Sequence, residues 1–194
     1  MGRPPSFDHA QAVTAARDVF WARGYDATSL ADLEDATGLS RSSLYHAFTS
    51  KHGLFDAAVE DYLATVVEPL LRPLRDDPGR ATLPRHFERL ARTVAARAAE
   101  DPRQGCLLLG VAAGLAGRDP QARATVSAYR ERVTGAMDAA VGHRWPGLAD
   151  DERTHRARVL TGLQVAGLTL ARVDPRSAAD VLRSGARQVE AWDS

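Results

Sequence analysis

Hydroxyl, guanidinium, phenol and imidazole groups are concentrated in residues 40–46, where the sequence reads SRSSLYH. Groups of this kind donate hydrogen bonds to phosphate oxygens and to the edges of nucleic-acid bases. The surrounding window, residues 36–55, contains two formal positive charges, on Arg41 and Lys51, and no acidic residue. Because the whole chain has a formal net charge of zero, a nucleic acid would have to be met by such a local patch. The segment predicts a nucleic-acid-binding surface, and a solvated helix face is the alternative.

Two short helices are predicted to position this segment. The first helix can be capped by Thr28 or Ser29 and ends at Gly38. The second helix contains the polar segment, and its narrow apolar face consists of Leu44 and Phe48. Two short helices joined by a tight glycine turn indicate a helix-turn-helix unit, whose second helix fits the major groove of a duplex.

Helical spacing of apolar residues continues through almost the whole chain, and no long stretch alternates with a period of two. We therefore predict an all-α fold of about nine helices. Pro69 and Pro73 are expected to kink or end the fourth helix. The pairs Asp119-Pro120 and Asp174-Pro175 each predict a helix start, with a capping carboxylate followed by proline in the first turn.

Several other kinds of function lack support in the sequence. The six histidines show no metal-ligand spacing, and neither a phosphate-binding glycine loop nor a catalytic triad pattern is present. We expect no metal, no cofactor and no enzymatic activity; a helical interaction protein without DNA binding, or a small all-α enzyme, is the alternative function. The single cysteine permits no internal disulfide, and the N-terminal residues lack the apolar core of a signal peptide. A cytoplasmic protein without membrane contact is expected.

The N-terminal part resembles the TetR family of bacterial transcriptional regulators. The resemblance covers about residues 7–60 and rests on three spaced phrases, FWARGYDATSLADL, TGLSRSSLYHAF and SKHGLF. It implies a helix-turn-helix DNA-binding domain of three helices over residues 1–52 and an all-α regulatory and dimerisation domain over residues 53–194. It also implies a homodimeric repressor that leaves double-stranded operator DNA when a small-molecule effector binds.

The resemblance implies which residues contact DNA. The positions that correspond to contacts in the family are Thr28, Ser40, Arg41, Ser42, Tyr45, His46 and Lys51, and the polar segment adds Ser43. Thr28 and Ser40 are expected to hold phosphates at helix starts, Lys51 to clamp a phosphate, and Arg41 to read a guanine edge. Arg3 is expected to reach the DNA backbone from an N-terminal arm, with a solvated arm as the alternative. Ala47 departs from the histidine common in the family, so base preference does not transfer.

An effector cavity is implied by the same resemblance, and its lining is predicted from polar and aromatic residues on inward helix faces. The candidates are Tyr62, Phe87, Cys106, Tyr129 and Gln164, and ordinary core packing is the alternative for each of them. Cys106 lies in the apolar segment CLLLGVAAGLAG, which favours a small core residue over a redox sensor.

Two heptad-like stripes near the C-terminus predict the dimer interface. One recognition helix per chain reads a single half-site, so two chains should pair and place their recognition helices about one DNA turn, 34–36 Å, or more apart on a near-palindrome. The stripes predict a four-helix interface, although both could instead pack into their own domain. They consist of Leu160, Leu163, Gly167 and Leu170, and of Ala178, Leu182, Gly185, Val189 and Trp192.

Overall fold

The computed structural model describes residues 8–76, 79–97 and 101–193, and within them the chain is helical without any strand. The helices are α1 (His9–Arg23), α2 (Leu30–Thr37), α3 (Arg41–Phe48), α4 (Lys51–Tyr62), α5 (Glu68–Asp76), α6 (Thr82–Ala96), α7 (Leu107–Ala113), α8 (Pro120–Arg144), α9 (Asp150–Leu170) and α10 (Pro175–Ala191). A π-helical segment, Leu63–Val67, joins α4 to α5 without a break, so these ranges contain nine continuous helices. The predicted all-α class is confirmed.

The short N-terminal helices begin and end where their capping residues dictate. Ser29 caps α2 in a reciprocal capping box with Asp32, and the left-handed Gly38 ends that helix at a φ of 68°. Ser40 and Ser50 cap α3 and α4 by accepting hydrogen bonds from backbone N–H groups inside each helix. The two predicted starts at Asp119-Pro120 and Asp174-Pro175 are also confirmed.

The predicted end of the helix at Pro69 or Pro73 is wrong, because the helix continues through both prolines to Asp76. The kink, which was the other expectation, stays a prediction. The π-helical segment explains the continuity. In it the Glu68 N–H bonds to the Leu63 carbonyl, five residues back, so the hydrogen-bond register shifts just before the first proline. The helix thereby accommodates a residue that has no N–H to donate.

The C-terminal helices pack tightly because glycines remove side chains from their contacts. α10 packs chiefly against α6 and α9, and α8 packs against α9. A Cβ atom at Gly167 would lie only 2.6 Å from Leu182 Cγ, and one at Gly185 would overlap the Phe87 ring. These positions therefore need glycine for close helix contact.

The same contacts correct the predicted dimer interface. Most of both heptad-like stripes lies inside the chain's own core: Leu160, Ala178, Leu182 and Val189 are 0% exposed, and Gly167 and Gly185 are buried. Trp192 packs edge-on against Trp145. Leu163 and Leu170 alone among the predicted residues of α9 keep part of their surface outside the core.

No helix in the described ranges combines the length and the apolar character needed to cross a membrane.

Candidate functional site

The outer face of α3 carries the polar segment that the sequence singles out. Leu44 and Phe48 are 4% and 7% exposed and fix α3 on its neighbours. Arg41, Tyr45 and His46 are exposed. Ser40 and Ser42 are exposed as well, and Ser43 is half-buried. α3 therefore presents a row of donors on a rigid helix whose other side is anchored in the core.

The first turn of α3 is a compact cluster of hydroxyl groups. Ser40 Oγ accepts from the Ser43 N–H at 3.3 Å and lies 2.9 Å from Ser42 Oγ and 3.0 Å from Ser43 Oγ. Hydroxyl groups can exchange such local hydrogen bonds for phosphate oxygens, and the N-terminus of a helix favours an anion. The cluster supports the predicted phosphate contact by Ser40.

An acidic residue stands beside this helix start. Glu34 of α2 accepts a hydrogen bond from the Arg41 N–H at 2.6 Å through its Oε1 atom. The acid-free window in the sequence is therefore not acid-free in space. Sequence reasoning missed this residue because the contact joins two helices across the turn, and only the docking angle of α2 and α3 brings the groups together.

Arg41 lies over the ring of Tyr45, with Cζ 5.9 Å from the ring centroid. Residues four apart meet on one side of a helix, and the contact between a guanidinium and an aromatic face restricts both side chains. Both groups project from the exposed side of α3. The pair presents a planar, charged fork of the kind that matches guanine O6 and N7.

Thr28 does not occupy the surface position that the sequence predicts. Its side chain is 1% exposed, and its hydroxyl donates to the Gly24 carbonyl at 2.7 Å. Ser29, rather than Thr28, caps α2. The hydrogen bond from the Ser29 hydroxyl lowers the pKa of Asp32, which keeps the capping carboxylate ionised. The hydroxyl of Thr28 thus closes the loop before α2 and is unavailable to a phosphate.

Lys51 is held against the chain instead of projecting freely. Its Nζ donates to the Tyr25 carbonyl at 2.6 Å and lies 4.4 Å from the centroid of the Tyr25 ring. Partial burial lowers the pKa of the lysine from its usual range. The predicted phosphate clamp is therefore a charge of fixed position, tied to the loop between α1 and α2. Arg3, the predicted N-terminal contact, lies outside the described residues.

An apolar cavity of about 80 Å³ lies beneath this part of the molecule. Three of the five predicted lining residues, Tyr62, Tyr129 and Gln164, line it. Phe87 and Cys106 do not line the cavity. Phe87 packs against Gly185, and the Cys106 thiol lies 3.5 Å from Oη of the lining residue Tyr129. The other lining residues are Trp21, Val66, Val67, Leu70, Leu71, Leu90, Thr93, Val94, Arg97, Gln104, Gly105, Val133 and Leu168.

The polar groups that Tyr62, Tyr129 and Gln164 bring to this cavity are uncharged, and Arg97 adds a charged guanidinium to the lining. Burial raises the pKa values of Tyr62 and Tyr129 well above their usual range, so both phenols keep their protons. Burial also lowers the pKa of His86, whose Nε2 lies 2.7 Å from Gln164 Oε1. Desolvation is the largest cause in each case and disfavours the charged form. The cavity therefore offers neutral hydrogen-bonding groups in an apolar wall.

One hydrogen bond to the backbone and two ion pairs between side chains tie the N-terminal helices to the rest of the molecule. Arg172 Nη2 donates to the Trp21 carbonyl at 2.6 Å, and Arg103 Nη1 donates to Asp18 at 2.7 Å. Asp26, in the loop after α1, pairs with Arg118. Helix α1 is thereby held by residues that follow α6, far along the chain.

Comparison with known proteins places this arrangement in a family. The sequence model described as "Bacterial regulatory proteins, tetR family" matches residues 12–58. The HTH-type transcriptional repressor BdcR of Escherichia coli (strain K12) is 33% identical over 163 residues, covering 84% of this chain and 80% of the relative. The chain belongs to the TetR family. It is accordingly a DNA-binding transcriptional regulator of all-α fold.

Other TetR-family members support the same assignment. The HTH-type transcriptional repressor ComR of Escherichia coli (strain K12) is 50% identical over 62 residues, 32% of this chain and 30% of the relative. The regulator CifR, substituted at three cysteines, has been solved in complex with a 26-bp double-strand operator DNA. Its structure aligns with this chain at a TM-score of 0.75 and 29% sequence identity. The alignment covers 96% of this chain and 98% of that chain.

Proposed function

We propose that this TetR-family regulator reads operator DNA with the exposed face of α3 and represses transcription until a small molecule enters the cavity. The observation that carries the proposal is the anchored helix α3, whose outward side consists of exposed hydrogen-bond donors that follow the Ser40 cap. CifR, a relative that spans nearly the whole chain, has been solved on operator DNA.

We propose that the DNA-binding and regulatory parts of the chain meet at the predicted boundary, which lies within a helix. Residues 1–52 bind DNA, and residues 53–194 bind the effector and the partner chain. The boundary falls just inside α4, which begins at Lys51 and runs on through the π-helical segment to α5. A rigid helix shared by both parts suits a regulator, since movement at its cavity end also moves its DNA end.

Arg41→Ala should lower the affinity for the operator by about 1–3 kcal/mol and relax the preference for one base pair. The reason is the loss of a planar fork that can bind guanine at two points. Arg41→Lys keeps the charge without the fork and should lose most of the same specificity. Arg187→Ala, at an exposed position of α10, is the control for lost positive charge. Gel-shift titrations on operator and random duplexes measure the effect, and equal losses on both duplexes for Arg41→Ala would exclude base reading.

Cys106→Ala should leave operator affinity within about twofold of the unaltered protein, because the thiol makes only weak hydrogen bonds, to the phenols of Tyr129 and Tyr62, in the core. The thiol is 2% exposed, which also shields it from reagents. The relative CifR, substituted at three cysteines, has been solved on operator DNA, which supports a DNA-binding role that does not depend on those three thiols. Rapid reaction of the folded protein with a thiol reagent, with loss of DNA at the same rate, would support a redox sensor instead.

We further propose that the chain forms a homodimer through the outward face of α9. This face carries an apolar stripe that the chain's own core leaves at least partly uncovered and that continues into the turn after α9, with Leu170 37% and Val173 84% exposed. The stripe, at helical spacing, consists of Val159, Gly162, Leu163, Ala166, Leu170 and Val173. A large exposed apolar stripe on a soluble protein is typical of an interaction site, and a second copy offers the same stripe about a two-fold axis.

A further inference from the structure

Trp21 brings an unused hydrogen-bond donor to the cavity. The residue belongs to α1, is 6% exposed, and lines the cavity. Its indole Nε1 is buried without a hydrogen-bond partner within the ranges that the structure describes. Buried indole N–H groups usually find a partner, since an unsatisfied donor loses its hydration without compensation. Because Trp21 lines the cavity, a molecule bound there could supply that partner.

Several polar groups beside Trp21 are already engaged with the protein. Gln164 bonds to His86, and Tyr129 accepts from Cys106. Arg97 lies over the Trp21 ring, with Cζ 4.9 Å from its centroid, and donates to the Arg103 carbonyl. The Trp21 indole N–H differs from these groups because it has no hydrogen-bond acceptor among the described residues.

The surroundings define the charge and polarity of a matching ligand. Most of the wall is aliphatic or aromatic. Arg97 lies 3.8 Å from Asp101 (Nε to Oδ2), and Asp101 also pairs with Arg103, which pairs with Asp18. The positive charge of Arg97 is therefore balanced within an ion-pair network and is not left for an anionic ligand. The two phenols stay protonated. A charged ligand would lose hydration that such a site does not replace, whereas an uncharged ligand with a single acceptor loses much less and recovers it in one hydrogen bond.

We infer that the cavity binds a small, uncharged, mainly apolar molecule through one acceptor oxygen, which accepts a hydrogen bond from Trp21 Nε1. This inference rests on the proposed function and names the chemical class of its effector. A volume of about 80 Å³ limits the cavity to a molecule of few heavy atoms. A ketone or an ether oxygen on a short or cyclic hydrocarbon meets all these conditions.

A ligand bound to Trp21 would also contact the DNA-binding part directly, because Trp21 belongs to α1. Trp21 lies in α1, one residue after Phe20, whose ring packs edge-on against Phe55 of α4. The remaining cavity wall comes from helices that follow α3, and Arg172, after α9, holds the Trp21 carbonyl. A ligand on Nε1 therefore joins α1 to the regulatory helices. By population shift, it favours whichever placement of α1 makes the better hydrogen bond.

Nuclear magnetic resonance of the indole N–H groups tests the inference on the intact protein. The chain has three tryptophans, so three indole signals are expected, and Trp21→Phe assigns the relevant one. The probes are cyclohexanone and methylcyclohexane, which have similar shape but differ in the acceptor oxygen. Cyclohexanone should move the Trp21 indole proton downfield in a saturable titration and leave Trp145 and Trp192 in place. Methylcyclohexane should produce no downfield shift.

The variant separates hydrogen bonding from packing. Trp21→Phe should weaken cyclohexanone about tenfold and leave methylcyclohexane within about twofold, because only the ketone loses a hydrogen bond. Equal weakening of both probes, no binding of the ketone, or a bound ketone that leaves the Trp21 indole signal in place would overturn the inference. If Trp21→Phe does not fold, Trp145→Phe and Trp192→Phe assign the Trp21 signal by elimination, and its downfield shift with cyclohexanone but not with methylcyclohexane decides the question. Operator binding is titrated separately, so a failure of the DNA-binding proposal is recognised independently.

Discussion

Ala166→Glu should convert the regulator into a folded monomer and lower its affinity for operator DNA by about a thousandfold. Ala166 is exposed at the middle of the apolar stripe on α9, so a glutamate there leaves the core of the single chain untouched. In a two-fold interface the same change places two like charges in one apolar contact, which strongly opposes pairing. A monomer reads one half-site, and the loss approaches the gap between specific and non-specific binding, which is at least about a thousandfold.

Ala124→Glu is the matched control for this variant. Ala124 is also an exposed alanine within a helix, but it lies on α8, away from the stripe. It should remain dimeric and bind the operator normally. Light scattering after gel filtration gives the mass of each variant, circular dichroism its helicity, and gel shift its affinity. A dimeric Ala166→Glu with full operator affinity would place the interface elsewhere on the surface.

The limits of the short N-terminal helices could be predicted from the sequence, whereas the packing partners of the C-terminal stripes could not, and both outcomes have one physical cause. Caps and turns are local, so Ser40, Ser50 and Gly38 could be recognised from their neighbours in the chain. The spacing of Leu182 and Gly185 indicated correctly that a helix packs on a helix, but spacing carries no information about which chain supplies the partner. The partners are α6 and α9 of the same chain.

The contacts around the proposed DNA-binding surface show the same limit. Tyr25 and Lys51 are separated by 26 positions and meet through a backbone carbonyl, which leaves no signature in residue type. Glu34 reaches the start of α3 only because α2 and α3 dock at a particular angle. Trp21 could have been suspected from its place beside Phe20 on the buried face of α1, since an indole in a core needs a partner for its N–H. Its approach to the cavity depends on where α4 and α8 pack.

Leu182→Glu should destabilise the native state by about 4–5 kcal/mol or more, and so unfold much of the protein instead of giving a stable monomer. Leu182 is 0% exposed and fills the space that Gly167 leaves open on α9. A carboxylate there would be buried among apolar groups without a partner, which is among the most costly single changes to a core.

Ser184→Glu provides the comparison, because Ser184 is exposed two residues further along α10 and its replacement should change stability by about 0.5 kcal/mol or less. Urea titrations followed by circular dichroism measure both variants against the unaltered protein at one protein concentration, since pairing also contributes to stability. The expected pattern is a large loss for Leu182→Glu and a near-normal midpoint for Ser184→Glu. A Leu182→Glu protein that has a normal urea midpoint and is monomeric in solution would place the heptad-like stripe of α10 in the dimer interface. It would also contradict the burial of Leu182 in the core of its own chain.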